Sequence, residues 1–543
     1  MKFKKNQTAT KLRGGYYTDE RLASFMLKWV LDGNTKRLLE PGCGDGNFLS
    51  ALSKLNHSNL EEVDAFEIEP EEASVARQRS ASVETAEVNV YNRDYLKWSV
   101  INLQNRDTYD AVVGNPPFVR YQYLDDDLQN YAKKIFEYHN LSFTRHTNLW
   151  VPFVVAAMSQ LRAGGKLAMV LPAELLHVRH SQSLRSYLAK TCSELLVIDP
   201  KDLWFEDTLQ GAIILLAKKK VRQSEKSHGV GIVSTRDKSF IGTNPESMFH
   251  EADFLNGETI EGKWMPALLE TQEREALLKA KELSRVYQFD EIGEVAVGIV
   301  TGANKFFLVP DSVIEEYSLW EWAHPMFGRS KHVPGVVYDE EVHKSNSNSD
   351  SPTNFIWFEG VKNKTDLSDK AREYIEKGEK EELHERYKCR IREPWFEVPS
   401  VYSTKMGMLK RCHHYPRVIY NKIEAYTTDT AYRIKSENFS PQSLSFSFVN
   451  SLTALSAELE GRHYGGGVLE LVPSEIRRLL LPEPIGGDEE VYDLDKRVRQ
   501  DHNPDELLRI QDKKVLGNLG FDNEELESLH SGWKRLRDRR QRI

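Results

Sequence analysis

The sequence predicts an α/β fold, with a mostly parallel sheet of seven strands covered by helices on both faces, followed by a second domain of α+β type. In the first 220 residues short apolar strands alternate with helix-like segments, and this alternation is typical of parallel sheets flanked by helices. After about residue 245 the segments become shorter and more aromatic. A chain of 543 residues also exceeds one ordinary core, so two large domains are expected.

Seven short apolar segments are the predicted strands of the first domain. They cover residues 35–40, 62–68, 86–91, 109–114, 166–172, 194–199 and 211–219. Helix-like patterns lie between them, for example at 20–31 and 149–161. Gly164 and Gly165 are predicted to end the second of these helices as its C-cap. In such a sheet ligands bind at the carboxyl ends of the strands.

The remaining chain predicts two further parts. We expect a catalytic domain at 1–245, a second domain at 246–485 and a helical extension at 486–543, where the chain turns acidic and then basic. Within the second domain the polar run 343–353 predicts a loop, and residues 367–390 that follow predict a helix.

Composition excludes several classes of protein. Hydrophobic residues at 40% and charged residues at 29% are typical of a globular chain, and no apolar run long enough to cross a membrane is present. The four cysteines are far apart, which favours a reducing cytoplasm over disulfides or a zinc site. The net charge of −9 does not predict nucleic-acid binding, although basic stretches occur at 218–222, 405–417 and 533–542.

A glycine turn follows the first predicted strand. The stretch "RLLEPGCGDGNFL" carries Gly42, Gly44 and Gly46 between a strand and a helix. Glycines there permit positive φ and let the backbone approach a ligand closely. Alone, such a turn is a weak indication of nucleotide binding.

Acidic residues follow the next two strands. Glu67 ends the second strand, where a ribose diol would be held, and Asp94 ends the third, where it suits an adenine amino group. No Lys or Ser/Thr of a phosphate loop follows the glycines. Together these groups predict an adenosine-containing ligand without phosphates.

The fourth strand leads into "NPPF" at 115–118. The side-chain oxygen of Asn115 and the main-chain oxygen of Pro116 are two acceptors that suit the two hydrogens of an exocyclic amino group. The nitrogen lone pair would then be directed at an electrophile while Phe118 stacks on the base. Pro116 and Pro117 would fix the corner.

The ordered motifs "YYT", "LEPGCGDG", "FEIEP", "NRDYL" and "GNPPF" resemble the gamma-class, TaqI-like amino-methylating DNA methyltransferases. The resemblance implies a Rossmann-like methyltransferase domain, S-adenosyl-L-methionine as the cofactor and a target-recognition domain after it. It implies cofactor contacts from Thr18, Glu40, Pro41, Gly42, Gly44, Gly46, Glu67, Ile68, Asp94, Tyr95 and Asn115. It implies a catalytic group of Asn115, Pro116, Pro117, Phe118 and, from the segment "DLWFEDTLQGAIILLAKK", Phe205.

The resemblance covers about residues 10 to 485, and two departures limit it. The first motif usually ends in Thr-Pro, whereas here it reads Tyr16-Tyr17-Thr18-Asp19. Asp19 is nevertheless acceptable at the beginning of a helix. The chain beyond residue 485 has no counterpart.

The resemblance implies a site-specific adenine-N6 methyltransferase of a type II restriction-modification system. Such an enzyme acts on double-stranded DNA, flips its target base and uses no metal. We expect a monomer in the cytoplasm of a bacterial or archaeal cell. Since the first cofactor motif lies close to the beginning of the sequence, we expect a separately encoded restriction endonuclease rather than a fused one.

Other activities share the Asn-Pro-Pro-aromatic motif. Cytosine-N4 methylation of DNA stays open, as does a DNA-binding defence subunit without activity, although intact Glu67, Asp94 and Asn115 disfavour the latter. The large second domain disfavours glutamine methylation. Cytosine-C5 methylation is disfavoured because no Pro-Cys pair takes the place of Asn115-Pro116.

The residues that read DNA are less defined by the sequence. Candidates for contacts to bases or phosphates are Arg329, Lys331, Lys405, Lys410, Arg411 and Arg417, each of which is equally well explained as surface charge. The stretch "YGGGVLEL" is either a turn at the DNA or a structural loop. His413 and His414 do not predict a metal site, because neighbours in a strand point apart.

Overall fold

The computed structural model describes residues 18–55, 57–104, 108–119, 124–144, 147–178, 181–200, 211–255, 262–464, 466–500 and 503–542. The chain forms two compact units, of which the first ends at Leu268 and the second spans Leu269–Gln541. This division lies later than the predicted boundary at 245. No helix in the described ranges is both long and apolar enough to cross a bilayer.

The first unit is built on one large sheet. Its strands are β1 (Arg37–Glu40), β2 (Glu62–Glu67), β3 (Glu87–Asn92), β4 (Tyr109–Gly114), β5 (Leu161–Pro172), β6 (Cys192–Pro200), β7 (Ala212–Lys219), β8 (Val230–Thr235) and β9 (Phe254–Leu255). They lie in the order β3-β2-β1-β4-β5-β7-β6-β8-β9. Strands β1 to β5 pair in parallel, and β7 runs antiparallel between β5 and β6.

This sheet confirms the predicted fold class and extends it. All seven predicted strands are present, and β8 and β9 continue the sheet beyond β6. The sequence did not indicate these two strands because β9 has only two residues and β8 is buried along only part of its length. A strand of this kind depends on its neighbours in the sheet for its conformation.

Helices cover the sheet of the first unit. They are α1 (Glu20–Val30), α2 (Asn47–Leu52), α3 (Pro70–Ser80), α4 (Tyr95–Ile101), α5 (Asp126–Tyr138), α6 (Trp150–Gln160), α7 (Glu174–His177), α8 (Gln182–Thr191) and α9 (Pro245–Glu251). The Asp19 side chain caps α1 by accepting a hydrogen bond from the Arg21 N–H. An Asx cap therefore begins α1 where related motifs have proline.

The prediction that Gly164 and Gly165 cap a helix is wrong. Helix α6 ends at Gln160 and the chain enters β5 at Leu161, so both glycines lie within the strand. A Cβ on Gly165 would lie 2.9 Å from the Asp110 carbonyl oxygen, and Gly164 has a φ of +76°. The glycines are thus needed where β5 bends against β4, at a shift in the register of that pair.

The described part of the second unit contains four smaller sheets. Their strand orders are β11-β20-β16-β18-β14, β12-β15-β13-β19, β17-β22-β21 and β10-β23. The strands are β10 (Val286–Gln288), β11 (Glu294–Val297), β12 (Leu308–Val309), β13 (Ala323–Phe327), β14 (Val337–Tyr338), β15 (Asn354–Ile356), β16 (Met406–Leu409), β17 (Arg411–Cys412), β18 (Val418–Asn421), β19 (Tyr426–Thr427), β20 (Ala431–Lys435), β21 (Arg462–Tyr464), β22 (Val468–Glu470) and β23 (Leu480–Pro482).

Helices accompany these sheets, as expected for an α+β unit. They are α10 (Thr271–Glu282), α11 (Phe289–Ile292), α12 (Asn304–Phe307), α13 (Asp311–Tyr317), α14 (Glu340–Asn348), α15 (Asp369–Lys380), α16 (Tyr387–Arg390), α17 (Pro441–Ser447), α18 (Ser451–Glu460), α19 (Pro473–Ile476), α20 (Asp488–Arg499), α21 (Pro504–Val515) and α22 (Asn523–Gln541). The predicted loop at 343–353 is wrong in its first half, which belongs to α14. The Asp339 side chain caps that helix through the Val342 N–H, and this local hydrogen bond offsets the weak propensity of its Ser and Asn residues.

The C-terminal segment is helical, and it forms part of the second unit. Helix α22 packs along α18 and α10. Its Trp533, Leu529 and Leu536 are fully buried. The buried face of α22 is therefore part of the hydrophobic core of this unit.

Candidate active site

A cavity of about 540 Å³ lies at the carboxyl ends of β1, β2, β3 and β4. At the end of each strand stands a residue that was predicted to bind a ligand: Pro41, Glu67, Asp94 and Asn115. These residues meet here because parallel strands end at one edge of the sheet. The lining includes Thr18, Pro41, Gly42, Gly44, Glu67, Ile68, Asp94, Tyr95, Asn115 and Pro117 among the predicted residues.

The glycine turn shapes one wall of the cavity. The Cys43 N–H donates to the Phe66 carbonyl oxygen at 2.9 Å, and the Gly46 N–H donates back to the Cys43 carbonyl at 2.9 Å. Gly46 has a φ of +90°, and a Cβ there would lie 2.9 Å from the Cα of Ala76. Gly46 itself does not line the cavity. Its role is to allow the close packing of the turn against α3.

Glu67 ends β2 with its carboxylate held by the backbone. One oxygen accepts the Gly44 N–H at 2.9 Å and the other accepts the Glu69 N–H at 2.9 Å. Burial raises the pKa of this carboxyl, while the backbone hydrogen bonds oppose that shift. Since a carboxylate oxygen has two lone pairs, each oxygen can still accept a hydroxyl donor. The neighbouring Ile68 is 56% exposed and offers an apolar surface beside it.

Asp94 follows β3 and caps α4. Its side chain accepts the Lys97 N–H at 3.1 Å, which fixes the carboxylate at the cavity wall. Burial raises its pKa. The adjacent Tyr95 is buried, and its ring lies 5.4 Å from the ring of Phe153, so an aromatic cluster supports this wall.

Glu40 ends β1 directly before the turn and is fully buried. Burial, together with the negative charges of Glu67 and Asp45, raises its pKa to about 8. Its Oε1 has no hydrogen-bond partner among the described residues. Such an atom indicates that a donor is missing beside it, since buried polar atoms are rarely left unsatisfied.

Asn115 lies where β4 ends, on the same cavity. Its side-chain nitrogen donates a hydrogen bond to the hydroxyl oxygen of Thr18 at 3.2 Å. This contact fixes the orientation of the amide. The nitrogen points at Thr18, and the acceptor oxygen Oδ1 lies at the opposite end of the amide. Thr18 is 4% exposed, so its hydroxyl is held in a single environment. The sequence did not indicate this pair, because the two residues are far apart in the chain.

The other members of the predicted catalytic group differ in position. Pro116 is buried and Pro117 lines the cavity. Phe118 is partly buried and packs against the hydrophobic core of the first unit, and it does not line the cavity. Phe205 lies outside the described residues.

The lining of the cavity is strongly acidic. Among the described residues that line it, seven carboxylates face one guanidinium, that of Arg93, and the carboxylates are those of Asp45, Glu67, Glu69, Glu71, Glu72, Asp94 and Asp125. The acids other than Glu67 and Asp94 were not singled out from the sequence, although Glu71 and Glu72 follow the "FEIEP" motif. An acidic lining repels phosphates and attracts cations. S-adenosyl-L-methionine, which carries a sulfonium and an ammonium group, fits this lining.

Most of the candidate DNA-reading cations of the second unit have internal partners. Lys410 and Arg411 pair with Glu470 at 3.3 and 2.7 Å. Arg417 donates to the carbonyls of residues 333–335. Lys331 donates to the Ser351 hydroxyl at 3.2 Å.

The two remaining candidates and the glycine stretch are at the surface. Arg329 and Lys405 are exposed and have no ion pair among the described residues. The stretch "YGGGVLEL" includes the turn between β21 and β22, with Gly466 and Gly467 at positive φ.

Two family models match the chain. The Eco57I restriction-modification methylase model matches residues 25–203, and the model of the C-terminal domain of the type II methyltransferase M.Eco57I matches residues 261–516. The chain is 25% identical to the type II methyltransferase M.AccI of Acinetobacter calcoaceticus over 92% of each chain. It is 22% identical to M.XamI of Xanthomonas campestris pv. amaranthicola over 86% of this chain and 85% of that one.

Solved structures that the chain matches include the type IIG restriction endonuclease BpuSI and the DrdV–DNA complex. The first has a TM-score of 0.43 at 13% identity and covers 98% of this chain and 67% of that one. The second has a TM-score of 0.49 at 11% identity and covers 83% of this chain and 54% of that one.

The family matches agree with the motifs, the sheet and the acidic cavity at its carboxyl edge. They lie one in each half of the chain, in the order that the sequence motifs predict. In both halves the chain is therefore similar to the Eco57I-like restriction-modification methylases, and its cofactor is S-adenosyl-L-methionine.

Proposed function

We propose that the chain is a site-specific DNA methyltransferase that modifies N6 of adenine and serves as the modification enzyme of a type II restriction-modification system. The observation that carries the proposal is Asn115, whose amide is oriented by Thr18 on the wall of the cofactor cavity. The amide oxygen and the following proline carbonyl form a pair of acceptors that suits an exocyclic amino group. The family matches support the restriction-modification setting.

In this proposal the cavity wall holds the cofactor by its polar groups. Glu67 accepts the ribose hydroxyls and Asp94 accepts the adenine amino group, while Ile68 and Tyr95 supply apolar contact. Glu40, Pro41 and the glycine turn lie toward the methionine part. When bound, S-adenosyl-L-methionine supplies an electrophilic methyl group.

The chain itself positions and activates the amine. An adenine stacked inside a duplex cannot reach the cavity, so the target base is flipped out. Asn115 Oδ1 and the Pro116 carbonyl then accept the two amino hydrogens, which directs the nitrogen lone pair away from the ring system. Neither acceptor takes up a proton at neutral pH, so the surplus proton leaves to water. Phe118 and Phe205 are the proposed stacking partners of the flipped base, and Phe118 would have to turn away from the core of the first unit to reach it.

The test is transfer of a radiolabelled methyl group to unmethylated DNA, followed by nucleoside digestion and chromatography. We expect the label in N6-methyladenine, and we expect Asn115→Ala to abolish it. Asn34→Ala is the matched control, because Asn34 is exposed in a turn away from the cavity. This control should retain full transfer.

Each other outcome revises the proposal. Label in N4-methylcytosine would keep the amine mechanism and change the base. DNA binding without any transfer would make the chain a binding subunit. Full transfer by Asn115→Ala would remove Asn115 from the mechanism.

We also propose that the enzyme acts as a monomer on double-stranded DNA beside a separately encoded restriction endonuclease. A monomer can modify the two strands of a palindromic site in turn. Analytical ultracentrifugation of the protein with and without DNA tests this. A stable dimer in both conditions would contradict it.

A further inference from the structure

Residues 386–392, here called the basic turn, form an exposed surface of the second unit that no predicted role has used. The segment carries Arg386, Lys388, Arg390 and Arg392. Within the described residues none of the four takes part in an ion pair. Two acids flank the segment, Glu385 and Glu393, and Glu385 lies 3.2 Å from the ring of His384. Cations without acidic partners are suited to an anionic ligand.

Two large apolar side chains stand out of the same turn. Tyr387 is 66% exposed and Ile391 is 63% exposed. Tyr387 begins helix α16 and Ile391 directly follows it, so the two are one helical turn apart. A single exposed apolar side chain needs no explanation, but two of them among four cations form an amphipathic surface that suits a polyanion with apolar groups.

The turn is held firmly by its buried side. Cys389 is fully buried, and Arg392 donates to the carbonyl oxygens of Val300 and Thr301, both at 2.8 Å. Gly302 has a φ of +81°, and a Cβ there would lie 2.7 Å from the Cβ of Lys388. These contacts fix the conformation before any ligand binds, which lowers the entropic cost of binding.

The surface continues along the strand that leads to this anchor. Val297 and Val300 are 43% and 42% exposed. Arg433 donates to the Val297 carbonyl at 2.6 Å and lies 3.5 Å from the centre of the Tyr402 ring. Lys435 lies 5.0 Å from the same ring. The exposed Val297 and Val300 thus adjoin the basic turn through the Arg392 contact with the Val300 carbonyl. The cations near them, Lys435 and the buried Arg433, lie on β20.

We propose that the basic turn binds the target duplex, with Lys388 and Arg390 on phosphates and Tyr387 and Ile391 against sugars and bases. The proposal rests on the proposed DNA substrate and names the surface that receives it. The phosphates supply the acid partners that the cations lack within the protein. Apolar side chains beside them can wedge against a base step and ease the distortion that base flipping requires.

The experiment measures binding of the full chain to a fluorescein-labelled, random-sequence DNA duplex over a range of salt concentrations. Each lost phosphate contact lowers the slope of log K against log salt by about 0.9. Lys388→Ala/Arg390→Ala should therefore lower the slope by about 2 and weaken binding roughly tenfold or more at low salt. Lys362→Ala/Lys370→Ala is the control, since both lysines are exposed in the same unit and the net charge changes equally. It should leave the slope unchanged.

The apolar part is tested by Tyr387→Ser and Ile391→Ser. We expect each to weaken binding about fivefold or more at every salt concentration with no change of slope, because no phosphate contact is lost. Both side chains are exposed, so the melting temperature should not change. S-adenosyl-L-methionine binding should also be unchanged.

The outcomes separate this proposal from the proposed function. Methylation by the wild type together with a wild-type slope in Lys388→Ala/Arg390→Ala would overturn the role of the turn alone. Salt-dependent DNA binding that falls in this variant, with no methylation by either protein, would overturn the proposed activity and support the turn. Unchanged DNA binding with loss of a protein partner would reassign the surface to that partner.

Discussion

At the scale of single residues, Thr18 and Asn115 form the contact on which the proposed chemistry depends most directly. An amide can present either its oxygen or its nitrogen to a ligand, and the Thr18 hydroxyl accepts the nitrogen end. Thr18 is therefore a positioning residue. The sequence indicated both residues separately, Thr18 through its motif and Asn115 through "NPPF", while their contact depends on the folded chain.

Replacing Thr18 with Val should lower kcat about fivefold or more, because a hydrogen bond of about 1 kcal/mol no longer holds the amide. Thr18→Ser keeps a hydroxyl and should restore most of the rate. The split between kcat and KM for DNA is the measurement. A rise in KM alone, or equal loss in Thr18→Ser, would contradict an orienting role.

Glu40 is the residue whose charge state depends most on the fold. Its folded pKa of about 8 exceeds the ordinary value of a glutamate mainly because of burial. The stability associated with the protonated folded form is complete below the unfolded pKa. It is lost as pH rises from there toward the folded value, by about 1.4 kcal/mol per pH unit.

Glu40→Gln should remove this dependence. Between pH 5.5 and 7.5 the free energy of unfolding of the wild type should fall relative to the variant, as measured by urea denaturation. Parallel curves for the two proteins would show that Glu40 is ionised in the folded state. The sequence indicated Glu40 as a ligand residue, but burial and the nearby charges that set its pKa are known only from packing.

At the scale of elements, strands formed by apolar runs were predictable from the sequence, whereas short strands and polar helices were not. Strands β1 to β7 follow from such runs, and the acids at their ends gave the cavity. Helix α14 was not predicted, because its polar residues favour loops and the cap at Asp339 is its main helix signal. Gly164 and Gly165 were interpreted as a helix cap. Glycine serves both in helix caps and in strand bends, and sequence alone does not distinguish the two uses.

The glycine turn gives a prediction at this scale. Gly46→Ala introduces a side chain at positive φ and 2.9 Å from Ala76, so it should lower stability by about 1–3 kcal/mol and weaken cofactor binding. Gly33→Ala is the control, because no atom lies within 4 Å of its added Cβ. Chemical denaturation and calorimetric titration with S-adenosyl-L-methionine measure the two effects. Equal stability of both variants would show that the turn adapts.

At the scale of the whole molecule, the C-terminal helices belong to the architecture of the second unit. The basic composition of 533–542 suggested a surface or phosphate-binding stretch, yet several of its cations point inward. Arg540 is buried against the buried Glu458, and it also donates to the His413 and Gly467 carbonyls. Helix α22 thereby connects the strand β17 region with the β21–β22 turn. Only long-range packing distinguishes these arginines from exposed ones, so sequence reasoning treated them alike.

The ion pair of Arg540 and Glu458 gives the last prediction. Burial would raise the pKa of Glu458, but Arg540 and His463 hold it below its ordinary value. Arg540→Ala would leave this carboxylate buried without its guanidinium, at a cost of about 3–5 kcal/mol. Arg509→Ala is the matched control on a partly exposed pair with Glu527 and should cost about 1 kcal/mol or less. Urea denaturation measures both changes, and salt-dependent DNA binding of Arg540→Ala shows whether the His413 and Gly467 segments need this support. If Arg540→Ala were no less stable than Arg509→Ala, the C-terminal helix would be held by its buried apolar side chains and not by this ion pair.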